Sequence, residues 1–376
     1  MALKPPFILL FSLFLLNNSF VNFTYSYFDP KIKAAFERKL ASETPHWIID
    51  QMSCDLTEAL PITPDLIDKT FNEYKGYIIR YTIVDGKLSV KFNSADWYSH
   101  PIASFMTYFL KELKNYADLP NVDFLIVLDD DVKTEFCFVP VMGFCRTIND
   151  KNVLLIPDYQ VFHTLQLRRS LDCVDYNVLN KVHEANWLYA WDQKIAKAIW
   201  RGGCTGGGGM YTPDNYVVLP RVLLADVALK FPDLLDAKFT AASPLCDASF
   251  QVYVGNGMSI EEHIHYKYQI LIDGNTCSWP GAYWRFHSNC VVLKQNSAYI
   301  QWYYSLLKPY VNYIPLAYNV QDITQKIQWA KDNDEKVQLI VRNANKMCAQ
   351  CLNYADILYY FYRAIKTYAA LQNSGS

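Results

Sequence analysis

The chain carries no excess of charge of one sign: 35 Lys and Arg stand against 37 Asp and Glu, a formal net charge of −2. A general nucleic-acid binder or a binder of anionic membranes shows a basic surplus, so neither class fits. No block of like charges is long enough to make a charged tail. There is no internal repeat, and no low-complexity stretch beyond Gly206–Gly209. Metal motifs are equally thin. Cys348 and Cys351 form a Cys-x-x-Cys, but no second pair completes a zinc site, and His263-x-His265 has no third ligand nearby. The apolar run Phe7–Leu16 is ten residues, about half of the roughly 20 that a membrane helix needs. Behind the single charge of Lys4 it reads as a secretory signal peptide, with an anchor giving membrane association as the alternative. No small-x-small cleavage site precedes Tyr25, and the sequons Asn17-Asn18-Ser19 and Asn22-Phe23-Thr24 lie in or beside this segment. The final Asn373-Ser374-Gly375-Ser376 is not a lumenal retention signal.

What is present is apolar and aromatic. The 376 residues are 51% hydrophobic, with 28 Tyr and 9 Trp, enough to build the cores of two ordinary domains. Ten cysteines are more than a cytosolic enzyme of this size needs and too few for a disulfide scaffold. Residues 30–60 read as helical between Pro30, Pro45 and Pro61. Tyr77–Val84 and Lys87–Phe92 flank Asp85-Gly86, a hairpin signal. After a helix over Phe105–Tyr116, the run Asp123–Leu128 has the continuous apolar character of a buried parallel strand. Val139–Phe144 and Val153–Pro157 repeat that pattern. A second series is expected as a helix over Asp192–Ala198, a strand and glycine turn over Ile199–Gly209, a helix over Arg221–Lys230 and a strand over Tyr268–Ile272. Helices over Ala298–Leu307, Asp322–Asp332 and Ala355–Leu371 complete it. Strands alternating with helices in two batches predict an α/β chain with two doubly wound halves.

Two blocks carry the chemistry. Trp200-Arg201-Gly202-Gly203 opens into the glycine run, and Tyr266–Asp273-Gly274 is a short strand running into Asn275-Thr276-Cys277-Ser278. Strand ends that open onto Gly, Ser and Thr turns are where open α/β sheets bind phosphates. Arg201, Arg221 and Arg285 lie in or beside these blocks, and a guanidinium matches a diphosphate in charge and shape. Arg201 is equally open to pairing with a carboxylate inside the fold. Asp129-Asp130-Asp131 follows the strand ending at Leu128; adjacent carboxylates repel one another, which raises a pKa and suits a proton acceptor. A calcium site or a solvated turn is the other reading of that triplet. Tyr299, Trp302, Tyr303 and Tyr304 read as core packing at helical spacing, with sugar stacking the other reading.

At the same residues the chain resembles glycosyltransferase family 90, the group of Rumi-like protein O-glucosyltransferases and capsule-associated proteins. The resemblance rests on Trp200-Arg201-Gly202, Arg221, Pro232 with Asp236-Ala237, Tyr266-Lys267-Tyr268, Asp273-Gly274, Trp284-Arg285, Lys308-Pro309 and Tyr313-Ile314-Pro315. It is strongest over 187–362 and traceable over 119–162. It implies a GT-B arrangement, two Rossmann-like domains facing across a cleft: a leader or anchor at 1–24, an acceptor-side domain at 25–175, a UDP-sugar domain at 176–350, and a last helix at 351–376 packing back on the first. It further implies an inverting hexosyltransferase using a UDP-sugar, with glucose foremost, and no metal or resident cofactor. Asp130 falls on the family's catalytic aspartate, with Asp131 as second candidate because Val132-Lys133 departs from the pattern. Arg201, Gly202, Gly203, Arg221, Asn275, Thr276, Ser278 and Arg285 fall on the nucleotide-sugar side, the spacing of Arg221 being lengthened by Gly206–Tyr216. A disulfide from Cys54 to Cys348 or Cys351 would also suit the family. The acceptor is a protein serine or a glycan. The expected place is the lumen of the secretory pathway, or the cytoplasmic face of the membrane were the source bacterial. A noncatalytic sugar- or nucleotide-binding protein on the same fold is the competing expectation.

Overall fold

The computed structural model describes residues 29–58, 60–94, 101–159, 161, 178–206, 219–241 and 248–374. The apolar run Phe7–Leu16, both sequons, Gly207–Gly209 and residues 162–177, which hold the expected domain boundary at 175, lie outside those residues. The chain is a mixed α/β protein built on two five-stranded sheets.

The first sheet begins with β1 (Ile78–Val84) and β2 (Lys87–Phe92), joined at Asp85 (φ 49°) and Gly86 (φ 71°). Two successive left-handed residues make the turn whose twist matches that of a hairpin, and Asp-Gly tolerates it at small cost. β3 (Val122–Val127), β4 (Val141–Gly143) and β6 (Val153–Leu155) follow, in the order β2-β1-β3-β4-β6. β3, β4 and β6 run parallel, whereas β1 is antiparallel to both β2 and β3. This half is therefore mixed rather than doubly wound throughout: the two-residue turn forces β1 and β2 to oppose each other, and β3 joins the free side of β1 with opposite sense. Phe124 to Val127 are fully buried because helices cover the sheet. Pro30–Ala41 is capped by the Asp29 carboxylate, which accepts from Lys31 N at 2.8 Å, and Pro64–Glu73 by Thr63; both have proline at the first helical position.

The second sheet is parallel throughout. Its strands are β7 (Ile195–Gly202), β8 (Leu235–Phe239), β9 (Tyr266–Leu271), β10 (Val291–Gln295) and β12 (Ile314–Leu316), in the order β12-β10-β9-β7-β8. The chain steps from β7 outward to β8, then returns past β7 to lay down β9 and continue the other way. The order therefore reverses between β7 and β9, which opens a crevice beyond their carboxyl ends.

Three expectations fail locally. Asp192–Ala198 is a short 3-10 turn and the start of β7, not a helix. Its Ala and Lys residues favour a helix, but pairing with β8 and β9 on both sides overrides that weak preference. Ala298–Leu307 is the two-residue strand β11 (Tyr299–Ile300) followed by a 3-10 turn. β11 pairs antiparallel with β5 (Arg146–Thr147), so a bridge to the first half replaces the helix. Trp302 and Tyr303 are fully buried, which accounts for the aromatic spacing without helical period. Finally, Cys54, Cys348 and Cys351 are thiols, and Cys54 lies against the Arg146 guanidinium at 3.7 Å.

The helix Asp334–Cys351 lies on β10 and on the helix Trp279–His287; the closing helix Tyr354–Ser374 then crosses to the first sheet, against Pro30–Ala41, His46–Asp55 and β3. Tyr368 donates to Pro140 O at 2.9 Å, and Gln372 accepts from Asp123 N at 3.0 Å while donating to Asp123 O at 3.2 Å. Among the described residues no helix is long and apolar enough to cross a membrane.

Candidate functional site

The crevice between the ends of β7 and β9 holds a cleft of about 230 Å³ lined by Thr205, Gly206, Pro220, Arg221, Asp273, Gly274, Asn275, Gln295, Ser297, Tyr299 and Tyr318. That volume suits a diphosphate more than a whole nucleotide-sugar, since drug-sized ligands occupy roughly 300–1,000 Å³. A larger recess of about 560 Å³, lined by His183, Trp187, His287 and Tyr354 among others, has no arginine or lysine on its wall among the described residues. Chemistry rather than volume distinguishes the cleft.

Arg221 enters from the first turn of Pro220–Lys230, where proline presets the backbone. Its guanidinium donates to Asp273 O (2.8 Å), Gly203 O (2.8 Å), Thr205 Oγ1 (2.6 Å) and Ile272 O (3.3 Å), so both strand ends hold it. Gly274 makes that approach possible: a Cβ there would stand 2.8 Å from Thr205 Oγ1 and 2.9 Å from Arg221 Nη2. Arg285, on Trp279–His287, is 5% exposed. It donates to Gly281 O at 2.9 Å and lies 4.3 Å from the Trp284 ring, while its Nε has no partner and no ion pair with a carboxylate is present among the described residues. Burial and the nearby charge of Arg221 push its pKa down to about 9, so it remains a cation at neutral pH with its charge uncompensated.

The rest of the expected donor set divides. Asn275 is central: its Nδ2 donates to Asp130 Oδ2 at 3.4 Å and its Oδ1 accepts from Gly206 N at 3.2 Å. Gly202 and Gly203 stand at the end of β7, with their carbonyls taken by Thr240 N (3.0 Å), Thr205 N (3.0 Å) and Arg221. Thr276 is 3% exposed and its carbonyl accepts from Gly274 N at 2.9 Å, which closes the turn. Ser278 stands at the start of the helix that carries Arg285, without a side-chain capping bond. Arg201 is a correction. It makes a two-pronged ion pair with Asp236 (3.0 and 2.8 Å) and also donates to Asn256 O (3.1 Å), so this guanidinium braces β7 against β8 and is absent from the cleft lining.

The three aspartates point in different directions. Asp129 Oδ2 accepts from Tyr77 N at 3.2 Å, and the backbone wraps it so closely that a Cβ at Gly76 would lie 1.8 Å from that oxygen. Burial raises its pKa, with repulsion from Asp130 a lesser cause. Asp131 is raised first by burial and then by Asp150. Asp130 is exposed and meets the second sheet through Asn275. The structure therefore brings Asn275 and Arg221 to one cleft, with Asp130 hydrogen-bonded to Asn275.

Sequence reasoning missed Thr205, Gln295, Ser297 and Tyr318, and put Tyr299 first in the core, whereas it lines the cleft. Gln295 ends β10 and Ser297 follows it, a parallel strand end of the kind that marked Asp273-Gly274. Gln295 accepts from Asp273 N at 3.0 Å, and Ser297 donates to the Asp273 carboxylate, whose pKa burial raises. His263 and His265 lie at the end of the helix Ile260–Ile264 rather than on a strand. Burial holds His263 neutral, its pKa down to about 3, edge-on to Trp284.

A parallel sheet with the Arg221 guanidinium at its switch point, and Asp130 meeting that point through Asn275, is an α/β arrangement suited to an anion. The family model for glycosyl transferase family 90 matches residues 46–375, and the chain belongs to that family. Among curated relatives, protein O-glucosyltransferase 3 of Rattus norvegicus is 27% identical over 315 residues, 82% of this chain and 58% of that protein. Protein O-glucosyltransferase 2 of Danio rerio is 27% identical over 273 residues, 71% of this chain and 51% of that protein. An O-glucosyltransferase rumi homolog of Aedes aegypti is 22% identical over 367 residues, 92% of this chain and 85% of its own length. The chain thus spans little more than half of the first two.

Proposed function

We propose that this chain is an inverting glycosyltransferase that moves glucose from UDP-glucose to a hydroxyl on a protein acceptor. One observation carries the reading: Arg221 is held against the glycine turn at the sheet's switch point, and Asp130 meets that turn through Asn275, with the buried, carboxylate-free Arg285 on the helix that follows. The names of the relatives point to glucose and a protein acceptor. In this reading the two sheets belong to the two facing domains of a GT-B arrangement, divided near 175, with the sugar between them. The first presents the acceptor and the second the donor.

The Asp130 carboxylate takes the proton of the acceptor hydroxyl as its oxygen attacks the anomeric carbon from the face opposite UDP. The bond from that carbon to the diphosphate oxygen breaks, and UDP leaves with the electron pair. Arg221 and Arg285, with backbone amides of the Gly202-Gly203 and Gly274-Asn275 turns, stabilise the charge that develops there. These cations supply the positive charge in place of a divalent ion, so transfer should persist in EDTA. No resident cofactor is needed, and UDP-sugar supply favours a lumenal site of action.

The test is UDP release from UDP-glucose by the purified chain with EDTA present, alongside the Asp130→Asn variant. We expect turnover by the wild type and a fall of roughly 10²–10⁴-fold in the variant with UDP binding kept. UDP binding without turnover in the wild type would make it a noncatalytic binder, and no UDP binding would remove the nucleotide site.

A further inference from the structure

Cys145 and Cys277 meet where the two sheets come together. Cys145 lies between β4 and β5, and Cys277 lies in the loop after β9 that also carries Gly274, Asn275 and Ser278. Their Sγ atoms are 3.0 Å apart across 132 residues of sequence, and the residues are 1% and 7% exposed. Both backbones are pinned. Next to Cys145, Arg146 pairs with Ile300 in the β5–β11 ladder, and its buried guanidinium binds Asp55 at 2.8 and 3.0 Å. Next to Cys277, the Thr276 carbonyl closes the Gly274 turn and Ser278 starts a helix. Phe144 and Trp279 pack edge to face at 5.7 Å beside the two sulfurs, holding the same loops together. From 3.0 Å the sulfurs need only approach by about 1 Å to reach bonding distance, roughly 2.05 Å.

We propose that Cys145 and Cys277 form a disulfide that fastens the β4–β5 connection to the Gly274–Ser278 loop. The inference stands on this geometry and does not rest on the transferase reading. The two thiols give up two protons and two electrons. A disulfide oxidant, either oxidised glutathione or the disulfide of a thiol oxidoreductase, takes them up and becomes two thiols. One cysteine thiolate attacks the oxidant, releasing the first thiol and leaving a mixed disulfide; the other cysteine attacks that, releasing the second. Burial pushes the Cys277 thiol up, which disfavours its thiolate in the folded chain. The bond therefore closes before the halves pack, and the folded protein then shields it from reductants. A cross-link over so long a loop restricts the unfolded chain strongly.

The test folds the full chain in a glutathione redox buffer and maps its peptides without reduction. We expect the Cys145 and Cys277 peptides joined, two hydrogens lighter than their sum. The thermal midpoint should lie roughly 5 °C or more above that of the same chain unfolded and refolded throughout in dithiothreitol. Cys145→Ser and Cys277→Ser should each abolish both the joined peptide and the redox dependence of the midpoint. Recovery of Cys145 and Cys277 as alkylatable thiols from the glutathione-equilibrated wild type overturns the proposal, and so does linkage of either to another cysteine. The decisive measurement is on the wild type, so a serine variant that fails to fold does not obscure it.

Discussion

At the scale of single residues, the aspartate triplet shows how a chain turn separates three chemically identical side chains. Asp129 is held by the Tyr77 amide under Gly76, Asp131 sits toward Asp150, and Asp130 meets Asn275. Asp130→Asn should therefore abolish most transfer, with Asp131→Asn costing much less and Asp129→Asn least. A dead Asp131→Asn beside an active Asp130→Asn would shift the assignment by one residue. Asp129 adds a stability signature. Its folded-state pKa is raised, so its contribution is fully present below the unfolded carboxylate pKa near 3.9 and is lost as pH rises through the folded value. Asp129→Asn cannot ionise, so its denaturation midpoint in urea should gain on the wild type between acid and neutral pH; a constant difference would remove burial as the cause. The arginines make a second pair of expectations. Arg221→Ala and Arg285→Ala should each weaken UDP binding by roughly 1.5–3 kcal/mol in calorimetry, the range for a hydrogen bond to a charged group. Arg285→Ala leaves no buried carboxylate orphaned, so its fold should survive; unchanged UDP affinity in both variants would make them structural.

At the scale of elements, legibility followed the range of the forces. The β1–β2 hairpin could be read because Asp85-Gly86 is a local instruction, and Asp123–Leu128 because an unbroken apolar run needs cover on both faces. The two failed helices are places where a distant partner decides: β7 is claimed by β8 and β9, and β11 by β5. The site shows the same division. Asn275 and Asp130 follow strand ends, and Arg221 opens a helix behind a proline, all of which a linear reading finds, whereas Tyr299 and Tyr318 reach the cleft by long-range packing. The bond between Arg201 and Asp236 could not be foreseen, because the two are adjacent only after β7 and β8 pair. The buried Arg146–Asp55 pair belongs to this scale too. Both side chains are fully buried, Asp55 also accepts from Leu155 N at 3.0 Å and Gln51 at 2.9 Å, and the group ties His46–Asp55 to β5 and β6. Asp55→Ala should cost roughly 3–5 kcal/mol, because it strands a guanidinium in the core. Urea unfolding measures that directly, and a loss under about 1 kcal/mol would show that water reaches Arg146.

At the scale of the molecule, the second sheet has an apolar cluster of its own around Trp200, Ile270 and Leu293, but a larger cluster joins the two sheets. The larger apolar cluster takes in Phe124 and Leu155 of the first sheet, Leu271 and Val292 of the second, and Ile357 to Tyr362 of the closing helix. Tyr360 stands at the junction: its ring stacks on Trp47 at 5.6 Å and lies 4.7 Å from Trp302, so the first half, the segment after β11 and the closing helix meet at one fully buried side chain. Calorimetry should accordingly give one unfolding endotherm, since neither half can open without exposing apolar surface of the other. Tyr360→Ala removes the shared ring and should destabilise by roughly 3–5 kcal/mol, as large-to-small core changes do. Because the ring serves both halves, the whole endotherm should move down in temperature and remain single. Two endotherms, of which only one responds to Tyr360→Ala, would mean that the halves unfold independently and that the closing helix belongs energetically to the first sheet alone.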